Sequence, residues 1–581
     1  MDSRERYERD VRALGERIFE LAGEGVPAVF DRRWWSGRAL DLAMRNDELK
    51  VALFRFVDVL PALRGPREIA RHLREYFEGP ELGLPSLVQW GLGAGSAGGL
   101  VARGTAATVR RNIEALAARF IAGRSPEEAL PTLRELWEGE TAATVDLLGE
   151  AALSEAECDH YQRAYERLIE ILACETRRWP EREKLERTGR TALPRAHVSV
   201  KVSSLYWKLD PVCHEASVGA LVERLVPLFR LAARLGVSVN LDLEQHAIVG
   251  ITRDAFRRAL EAPTLRDWPD AGIVCQAYRL DAEADLESLA GWVRSRGTPV
   301  TVRLVKGAYW DTETALAAQA GHRSPVFDHK LATDASYERC ARRMLEHQPW
   351  LRPAFATHNV RSLAASLVHA RDLGVPDADL EVQMLYGMAE PLQSAVRALG
   401  LRLREYVPVG ELIPGMAYLV RRLLENSSNQ GFLRASFVER ADRVRLLERP
   451  RARPESECEA APRPTRATRP GRFENEPTRD FTDPTERGAF AKAIERVDRS
   501  LGQPHKPLAL WIAGDEVRTG DLASSLDPAR PERVLGTVHQ AGPDEVDRAV
   551  AAAARAQRGW GSTPPLERGP RRVAGGPPRG P

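Results

Sequence analysis

Short β-branched runs alternate with helical patterns from about residue 143 onward, and this alternation limits the possible folds more than any other feature. Helical patterns such as CDHYQRAYERLIEILAC and DLESLAGWVRSR fill the gaps between the runs. Eight such units predict a parallel (β/α)8 barrel, an α/β fold; seven or nine units are alternatives, because boundaries read from one sequence are poor. The predicted strands lie at residues 143–148, 197–203, 237–243, 272–277, 299–305, 353–357, 381–385 and 404–409.

The composition excludes two classes of protein. Of the 581 residues, 84 are Lys or Arg and 82 are Asp or Glu, which leaves a net charge of +2. A nearly neutral chain is not expected to bind nucleic acid over its whole surface. A hydrophobic content of 43% and an aromatic content of 7% exclude a mostly disordered chain.

The cysteines and the first residues indicate a cytoplasmic protein without a metal site. The start, MDSRERYERD, lacks the apolar core of a signal peptide, and no run of 18 apolar residues could span a membrane. Peripheral contact with the inner face of the plasma membrane stays open. Six cysteines, without zinc-type spacing, are expected to be reduced thiols: Cys158, Cys174, Cys213, Cys275, Cys340 and Cys458.

Changes in pattern divide the chain into four predicted segments. Residues 1–135 form a helical arm, residues 136–447 the barrel, residues 448–485 a Pro/Arg-rich linker, and residues 486–581 a shorter α/β piece. Within the arm, glycines fit the dinucleotide-binding pattern G-x-G-x-x-G. That pattern requires a preceding strand in a βαβ unit, so a helix–helix connection is the better interpretation of Gly93, Gly95 and Gly98.

Polar side chains stand at the predicted carboxyl ends of the strands, where barrel enzymes place their reactive groups. Cations, carboxylates and amides together suit a pocket for a polar, anionic ligand, whereas ion pairs that merely close the barrel are the structural alternative. The residues at these ends are Asp146, Glu150, Lys201, Asp242, Glu244, Gln276, Arg303, Lys306, Thr357, His358, Leu385 and Tyr406.

Lys201 follows an apolar strand and needs a partner or a function, because an unpaired charge there is costly. We expect Asp242, on the next strand, to be that partner. Lys201 either binds a carboxylate or forms a Schiff base in an aldolase-like barrel.

Two further segments carry candidate ligand-binding residues. In RLVKGAYWD (303–311), Arg303 and Lys306 flank a strand end and suit phosphate or an electron-rich heterocycle, and Gly307 permits close backbone approach. In MAYLVRRLLEN, four residues share one helical face: Tyr418, Arg421, Arg422 and Glu425. The adjacent arginines suggest bidentate carboxylate binding; a surface salt bridge from Arg421 to Glu425 is the alternative.

Taken together, the motifs over residues 5 to about 445 resemble the proline dehydrogenase part of the bifunctional flavoenzyme family proline utilization A. Their order and spacing are more specific than any single motif. The motifs are LLGEAA (147–152), VSVKVSSL (198–205), NLDLEQ (240–245), RLVKGAYWD (303–311), ATHN (356–359), QMLYGMAEPL (383–392), YVPVGELIPGMAYLVRRLLEN (406–426) and NQGFLR (429–434).

The resemblance implies a distorted (β/α)8 barrel that binds FAD non-covalently, oxidises L-proline to Δ1-pyrroline-5-carboxylate and passes electrons to a membrane quinone. It implies catalytic roles for Lys201, Asp242, Arg303 and Tyr406. Proline would contact Lys201, Tyr309, Leu385, Tyr406, Tyr418, Arg421 and Arg422. FAD would contact Gln276, Arg303, Val305, Lys306, Gly307, Ala308, Trp310, Lys330, Thr357, His358, Asn359 and Glu425.

The resemblance also carries expectations about the two ends of the chain. The family's optional N-terminal DNA-binding module is not found, so no nucleic-acid partner is expected. Residues 500–562 resemble the opening of an aldehyde dehydrogenase module, with its catalytic cysteine, general-base glutamate and NAD site absent. We therefore expect a truncated second module without glutamate semialdehyde dehydrogenase activity. A lysine-dependent barrel lyase and an inactive fragment are the alternative functions.

Overall fold

The structure is a computed structural model that forms two compact units, Met1–Thr482 and Asp483–Pro581. It describes residues 3–24, 120–149, 151–189, 191–411, 443–450, 478–501, 506–565 and 567–568, with single positions between 48 and 76. The glycines of the G-x-G-x-x-G pattern and the helix predicted at MAYLVRRLLEN lie outside the described residues. Among the described helices, none combines the length and apolar content needed to cross a bilayer.

Eight parallel strands close into a barrel in sequence order, with β8 pairing back to β1. The prediction of an eight-unit barrel is therefore confirmed, and each predicted strand overlaps an observed one. The strands are β1 (Thr141–Leu147), β2 (Ala196–Val200), β3 (Val237–Leu241), β4 (Ala271–Gln276), β5 (Val300–Val305), β6 (Leu351–Ala356), β7 (Glu381–Leu385) and β8 (Arg402–Val409).

Alternation along the strands separates two buried layers. Apolar residues such as Val198 and Val200 on β2 are fully buried, because helices cover the outside of the sheet. Between them stands Ser199, which pairs in register with Asp146 of β1. The inner face thus carries hydrogen-bonding side chains where the outer face carries the apolar core.

Helices surround the barrel and follow most strands in the expected order. The N-terminal helix α1 (Ser3–Glu24) packs against α10 and α11, on the outside of the barrel. The remaining described helices of this unit are α2 (Pro126–Glu138), α3 (Glu155–Thr176), α4 (Glu183–Glu186), α5 (His214–Leu235), α6 (His246–Leu260), α7 (Ala282–Arg296), α8 (Trp310–Ala320), α9 (Lys330–Glu346), α10 (Val360–Asp372), α11 (Glu390–Ala398) and α12 (Arg443–Leu446).

The end of the predicted linker contacts the barrel. Thr478 donates a hydrogen bond to the carbonyl of Ala320 at 2.9 Å, and the Thr482 hydroxyl lies 3.1 Å from Nε2 of His246. Residues 451–477 lie outside the described part of the chain.

The second unit contains two helices and two two-stranded sheets among its described residues. These are α13 (Pro484–Leu501) and α14 (Pro543–Ser562), the pair β9 (Leu510–Ile512) and β10 (Asp515–Val517), and the pair β11 (Leu522–Asp527) and β12 (Arg530–His539). The helices predicted at AFAKAIERVDRSL and EVDRAVAAAARAQRGW and the strand predicted at LALWIAG are confirmed. In this part of the chain, Ile512 is the one buried hydrophobic side chain that the structure describes.

Candidate active site

Five charged or phenolic side chains converge at the carboxyl ends of the barrel strands. Three of them lie on strands and two lie just past a strand, so residues far apart in sequence meet in one place. Parallel strands place all these ends on the same face of the barrel. The five are Asp146 on β1, Lys201 after β2, Asp242 after β3, Arg303 on β5 and Tyr406 on β8.

Asp242 is the centre of this cluster. Its two carboxylate oxygens accept hydrogen bonds from Nη1 of Arg303 at 2.7 Å and from the hydroxyl of Tyr406 at 2.8 Å. The guanidinium carbon of Arg303 also lies 5.3 Å from the centre of the Tyr406 ring. Burial, together with the nearby carboxylates of Asp146 and Asp242, raises the pKa of Tyr406 well above its usual value. Tyr406 therefore stays a neutral hydrogen-bond donor.

Lys201 pairs with Asp146, so the expectation that Asp242 is its partner is wrong. Both oxygens of Asp242 already accept hydrogen bonds, whereas the fully buried Asp146, on the other neighbouring strand, has Lys201 as its one ion-pair partner among the described residues. Burial alone would lower the pKa of Lys201, but the charges of Asp146, Tyr165 and Asp242 raise it above the usual range. Lys201 is therefore an ammonium group, which suits binding of a carboxylate and disfavours a Schiff-base nucleophile.

Glu244 and Gln276 fix the loop after β3. Glu244 accepts hydrogen bonds from the amide and the hydroxyl of Ser203, at 3.1 and 2.7 Å. Nε2 of Gln276 donates to the carbonyls of Leu243 and Glu244, both at 3.1 Å. Because both partners are acceptors, the amide oxygen of Gln276 must point away from them.

The segment after β5 is shaped by Tyr278. Gly307 has a φ of +127°, and a Cβ at this position would lie 2.4 Å from Cγ of Tyr278. The close approach that glycine permits here is therefore to an aromatic ring of the protein itself. Val305, the last residue of β5, and Ala308 belong to the same segment. Lys306 pairs with Asp334 of α9, and its ammonium lies 5.9 Å from the Tyr337 ring centre.

Two aromatic residues of this segment begin α8. Tyr309 is the N-cap residue of the helix. Trp310, its first residue, donates from Nε1 to the carbonyl of Phe327 at 2.7 Å and is 41% exposed. Both positions are at the carboxyl face of the barrel, as the predicted contacts with proline and FAD require.

The predicted contacts with the remainder of FAD lie at the starts of α9 and α10. Lys330 is the first residue of α9. Thr357, which is buried, accepts a hydrogen bond from the amide of Asn359 at 3.1 Å, and Asn359 caps α10 through the amide of Ser362. Nε2 of His358 accepts from the amide of Leu385 at 3.1 Å, which brings β6 and β7 together.

Several predicted site residues lie outside the described part of the chain. They are Glu150, Tyr418, Arg421, Arg422 and Glu425. Within the described residues, no three His, Cys, Asp or Glu side chains are grouped so that they could hold a metal ion.

Three buried polar atoms at this site have no hydrogen-bond partner in the described protein: Oδ2 of Asp146 and two atoms nearer β4 and β5. These two are Oε1 of Gln276, an acceptor, and Nε of Arg303, a donor. A buried polar group without a partner costs about 1–3 kcal/mol, so a ligand that satisfies both atoms would be favoured. An electron-poor heterocycle with N–H groups and acceptor nitrogens, such as the flavin ring, has the matching donors and acceptors.

Two of the residues that the sequence interpretation missed, Ser199 and Thr144, lie inside the barrel. Nη2 of Arg303 donates to the hydroxyl of Ser199 at 2.9 Å, and Ser199 is in contact with Thr144. Both serine and threonine are ordinary strand residues, and their only signal is an inward position on an otherwise apolar strand. Asp334 pairs with Lys306, and Ser203 donates to Glu244. The sequence pattern did not predict these contacts, because the position of a residue in a helix or loop does not indicate which distant residue it will contact.

Comparison with known protein families gives three matches along the chain. The model of the family described as proline dehydrogenase matches residues 129–435, and that of the proline utilization A N-terminal domain matches residues 8–120. The model of the aldehyde dehydrogenase family matches residues 511–571.

Curated relatives agree with these matches. The bifunctional protein PutA of Escherichia coli is 30% identical over 472 residues, which cover 78% of this chain and 34% of that protein. Proline dehydrogenase 1 of Bacillus subtilis is 26% identical over 317 residues, which cover 55% of this chain and 89% of that protein. The chain thus spans about a third of the PutA relatives it matches.

A solved structure shares the fold over nearly the whole chain. Proline utilization A from Bdellovibrio bacteriovorus, inactivated by N-propargylglycine, matches with a TM-score of 0.83 and 38% identity, covering 96% of this chain and 55% of that one. The proline dehydrogenase model covers more than half of the 581 residues, and the closed barrel carries its motifs at the strand ends. The chain belongs to the proline dehydrogenase family.

Proposed function

We propose that this chain oxidises L-proline to Δ1-pyrroline-5-carboxylate as a step of proline catabolism to glutamate, using non-covalently bound FAD. The observation that carries the proposal is the cluster of Asp242, Arg303 and Tyr406, buried at the mouth of a barrel whose family is proline dehydrogenase. The starts of α8 and α9, at Tyr309, Trp310 and Lys330, support the proposal, because they follow the carboxyl end of β5, on the same face of the barrel as the cluster.

The residues present fit a flavin at this site. The chemistry that FAD would supply here is acceptance of a hydride from the carbon next to the proline nitrogen. Gln276 and Arg303 offer an unsatisfied acceptor and donor to the ring. Lys306, Gly307, Trp310 and the residues at the start of α10 would hold the rest of the cofactor.

Proline would be oriented by its carboxylate. Lys201 is held as an ammonium group by Asp146, and Arg421 and Arg422 would complete a cationic clamp. Tyr406, held by Asp242, would offer a flat neutral surface to the proline ring, and Leu385, Tyr309 and Tyr418 would enclose it. Such positioning matters because hydride transfer needs the two reacting atoms close and aligned.

Electrons would pass to a membrane quinone, so the protein would work in the cytoplasm in peripheral contact with the inner face of the plasma membrane. The test is anaerobic reduction of the protein by proline followed by addition of a ubiquinone analogue in liposomes. Reoxidation by the quinone, and none by NAD⁺, is expected.

We also propose that residues 486–581 by themselves do not oxidise glutamate semialdehyde with NAD. The resemblance places the nucleophile of that reaction on a cysteine, and these residues contain none. NADH formation by the 581-residue polypeptide from NAD⁺ and glutamate semialdehyde would contradict this proposal. The arrangement of arm, barrel, linker and second segment, with the boundaries given above, is part of the same proposal.

The decisive experiment is spectroscopic. The purified protein should be yellow, and its flavin absorption should bleach anaerobically on addition of L-proline but not of D-proline. The same preparation should be inactivated by N-propargylglycine, the compound that inactivates the Bdellovibrio relative.

Other outcomes point to the alternative functions. A colourless preparation that is trapped by borohydride with a carbonyl substrate would support a lyase that uses Lys201. A preparation with neither flavin nor trapping would support an inactive fragment.

A further inference from the structure

A chain of buried hydrogen bonds runs from Arg303 into the interior of the barrel. Nη2 of Arg303 donates to Oγ of Ser199 at 2.9 Å; Oγ of Ser199 lies 3.3 Å from Oγ1 of Thr144; and Oγ1 of Thr144 lies 2.6 Å from Nδ1 of His197. Ser199 and Thr144 are fully buried, and His197 is 7% exposed. We call Ser199, Thr144 and His197 the interior relay.

The protons of the interior relay have one consistent arrangement. A guanidinium group can only donate, so Ser199 accepts from Arg303. If Ser199 also accepted from Thr144, its own proton would have no acceptor, because Arg303 and Thr144 are its only side-chain contacts that the structure describes. Ser199 therefore donates to Thr144, and Thr144 donates to Nδ1 of His197.

The far end of the interior relay must be a neutral imidazole. Burial, with the positive charges of Arg404 and Arg303, holds the pKa of His197 well below its usual value. A neutral ring whose Nδ1 accepts carries its proton on Nε2. The interior relay thus begins at the Arg303 guanidinium, which can only donate, and ends at Nδ1 of His197, which accepts. The Ser199 and Thr144 hydroxyl groups each donate toward His197.

The interior relay holds Nη2 of Arg303, the nitrogen that points into the barrel. Asp242 accepts from Nη1 of Arg303, Ser199 accepts from Nη2, and Nε has no hydrogen-bond partner among the residues that the structure describes. Two anchors on separate strands define the plane of the group, whereas Asp242 alone would let it rotate about a single contact.

We propose that Ser199, Thr144 and His197 are positioning residues that hold the charge of Arg303 against the redox-active edge of the cofactor. This inference rests on the proposed function. A cation fixed beside the ring favours the reduced, more negative cofactor, and a cation that rotates away favours it less. None of the three is among the residues assigned to proline, so proline binding should not depend on them.

The test compares Ser199→Ala and Thr144→Val with matched controls in the full chain. Ser217→Ala and Thr252→Val remove equally buried hydroxyl groups on α5 and α6, away from the site. We measure the flavin midpoint potential, the rate constant of anaerobic flavin reduction by proline, and KM for proline. Thr144→Ser, which keeps the hydroxyl, should restore wild-type values.

The expected result is flavin binding at wild-type stoichiometry, with KM for proline changed by less than about twofold. The flavin reduction equilibrium should shift about tenfold toward the oxidised form, which is about 30 mV for a two-electron couple. The rate constant of flavin reduction should fall about tenfold, while both controls stay at wild-type values. If Ser199→Ala and Thr144→Val have the same flavin potential and reduction rate constant as the two controls, the proposed role of the interior relay is wrong.

A wild-type preparation without flavin would overturn the proposed function and the inference together, whereas a flavin-loaded wild type with unaffected variants would overturn the inference alone. A second measurement observes the wild-type protein and does not depend on the Ser199 and Thr144 variants. Nitrogen-15 NMR of labelled histidine, with His197→Gln to assign the signal, should show a neutral ring with its proton on Nε2. A protonated ring, or a proton on Nδ1, would contradict the proposed direction of the relay.

Discussion

Gly307 combines a backbone conformation and a packing environment that both favour glycine. Its φ of +127° is outside the range that side chains tolerate, and a Cβ would lie within 2.6 Å of three atoms of the Tyr278 ring. Gly307→Ala should lower the free energy of unfolding by about 3 kcal/mol, from backbone strain and overpacking together. It should also release FAD, because Lys306 and Ala308 would move with the backbone.

A matched control for Gly307→Ala is Gly321→Ala. Gly321 also has a positive φ, of +68°, but nothing lies within 4 Å of its Cβ position. Gly321→Ala should lower the free energy of unfolding by about 1 kcal/mol and leave flavin binding intact. Thermal unfolding by circular dichroism and flavin absorbance after gel filtration measure both effects. Equal losses in the two variants would mean that contact with Tyr278 is unimportant.

Glu405 is a buried acid on the outer face of β8. It is 3% exposed, and burial, reinforced by Glu390 and opposed by Arg397, raises its pKa to about 7. The raised pKa means that the folded state binds the proton more tightly than the unfolded state. Its stabilising contribution is complete below the unfolded pKa near 4.5 and is lost as the pH rises through 7.

Glu405→Gln should therefore remove part of the pH dependence of stability. Between pH 4.5 and pH 8, wild type should lose about 3 kcal/mol relative to the variant, since one pKa unit corresponds to about 1.4 kcal/mol. Urea unfolding of both proteins at a series of pH values measures this difference. Parallel stability curves for the two proteins would show that Glu405 titrates normally.

At the scale of elements, an ion-pair network attaches the N-terminal helix to the barrel. Arg361, in the first turn of α10, donates to both oxygens of Glu8 on α1, at 2.9 and 3.1 Å, and also to Glu338 on α9. It donates as well to the carbonyl of Leu447, at 2.7 Å. One buried guanidinium thus joins α1, α9, α10 and the segment after α12.

Arg361→Ala should destabilise the first unit by about 3–5 kcal/mol, because it removes the described ion-pair partner of the largely buried Glu338 and leaves Glu8 with only the more exposed Arg449, at 3.6 Å. Arg17→Ala is the control: Arg17 pairs with Glu20 on the same helix, but its side chain is 55% exposed, so the change should cost at most about 1 kcal/mol. Chemical unfolding gives both values. Trypsin should cut α1 faster in the Arg361 variant, and similar stability of the two variants would argue against the network.

At the scale of the whole molecule, the described site residues all belong to the first unit. In the second unit, α13 and α14 have no buried residue, and side chains such as Leu508, Trp511 and Val550 are at least 62% exposed. A polypeptide ending at Thr482 should therefore keep the yellow colour and the KM for proline of the full chain.

The complementary polypeptide, residues 483–581, should show no cooperative thermal transition, because few of its described apolar side chains are removed from water. Absorption spectra, proline kinetics and calorimetry of the two polypeptides test both expectations. Loss of flavin from the shorter enzyme would show that the second unit supports the site.

The barrel could be predicted because its signal is local and repeated. Each unit has a short apolar strand followed by an amphipathic helix, and eight consecutive units leave few other ways to bury the strands. The strand-end positions of Asp242, Arg303 and Tyr406 followed from the same pattern. Strand boundaries were less certain: β1 begins at Thr141, two residues before the predicted start.

The sequence by itself determined the barrel, the family and which polar residues reach the mouth of the site, since these depend on periodicity and on motifs along the chain. Only the tertiary structure decided the pairing within the site. Lys201 has Asp146 and Asp242 on its two neighbouring strands, and the choice depends on Arg303 and Tyr406, which occupy Asp242 from the far side of the barrel. Pairing of this kind is a competition among residues far apart in sequence, and distances in the folded protein settle it.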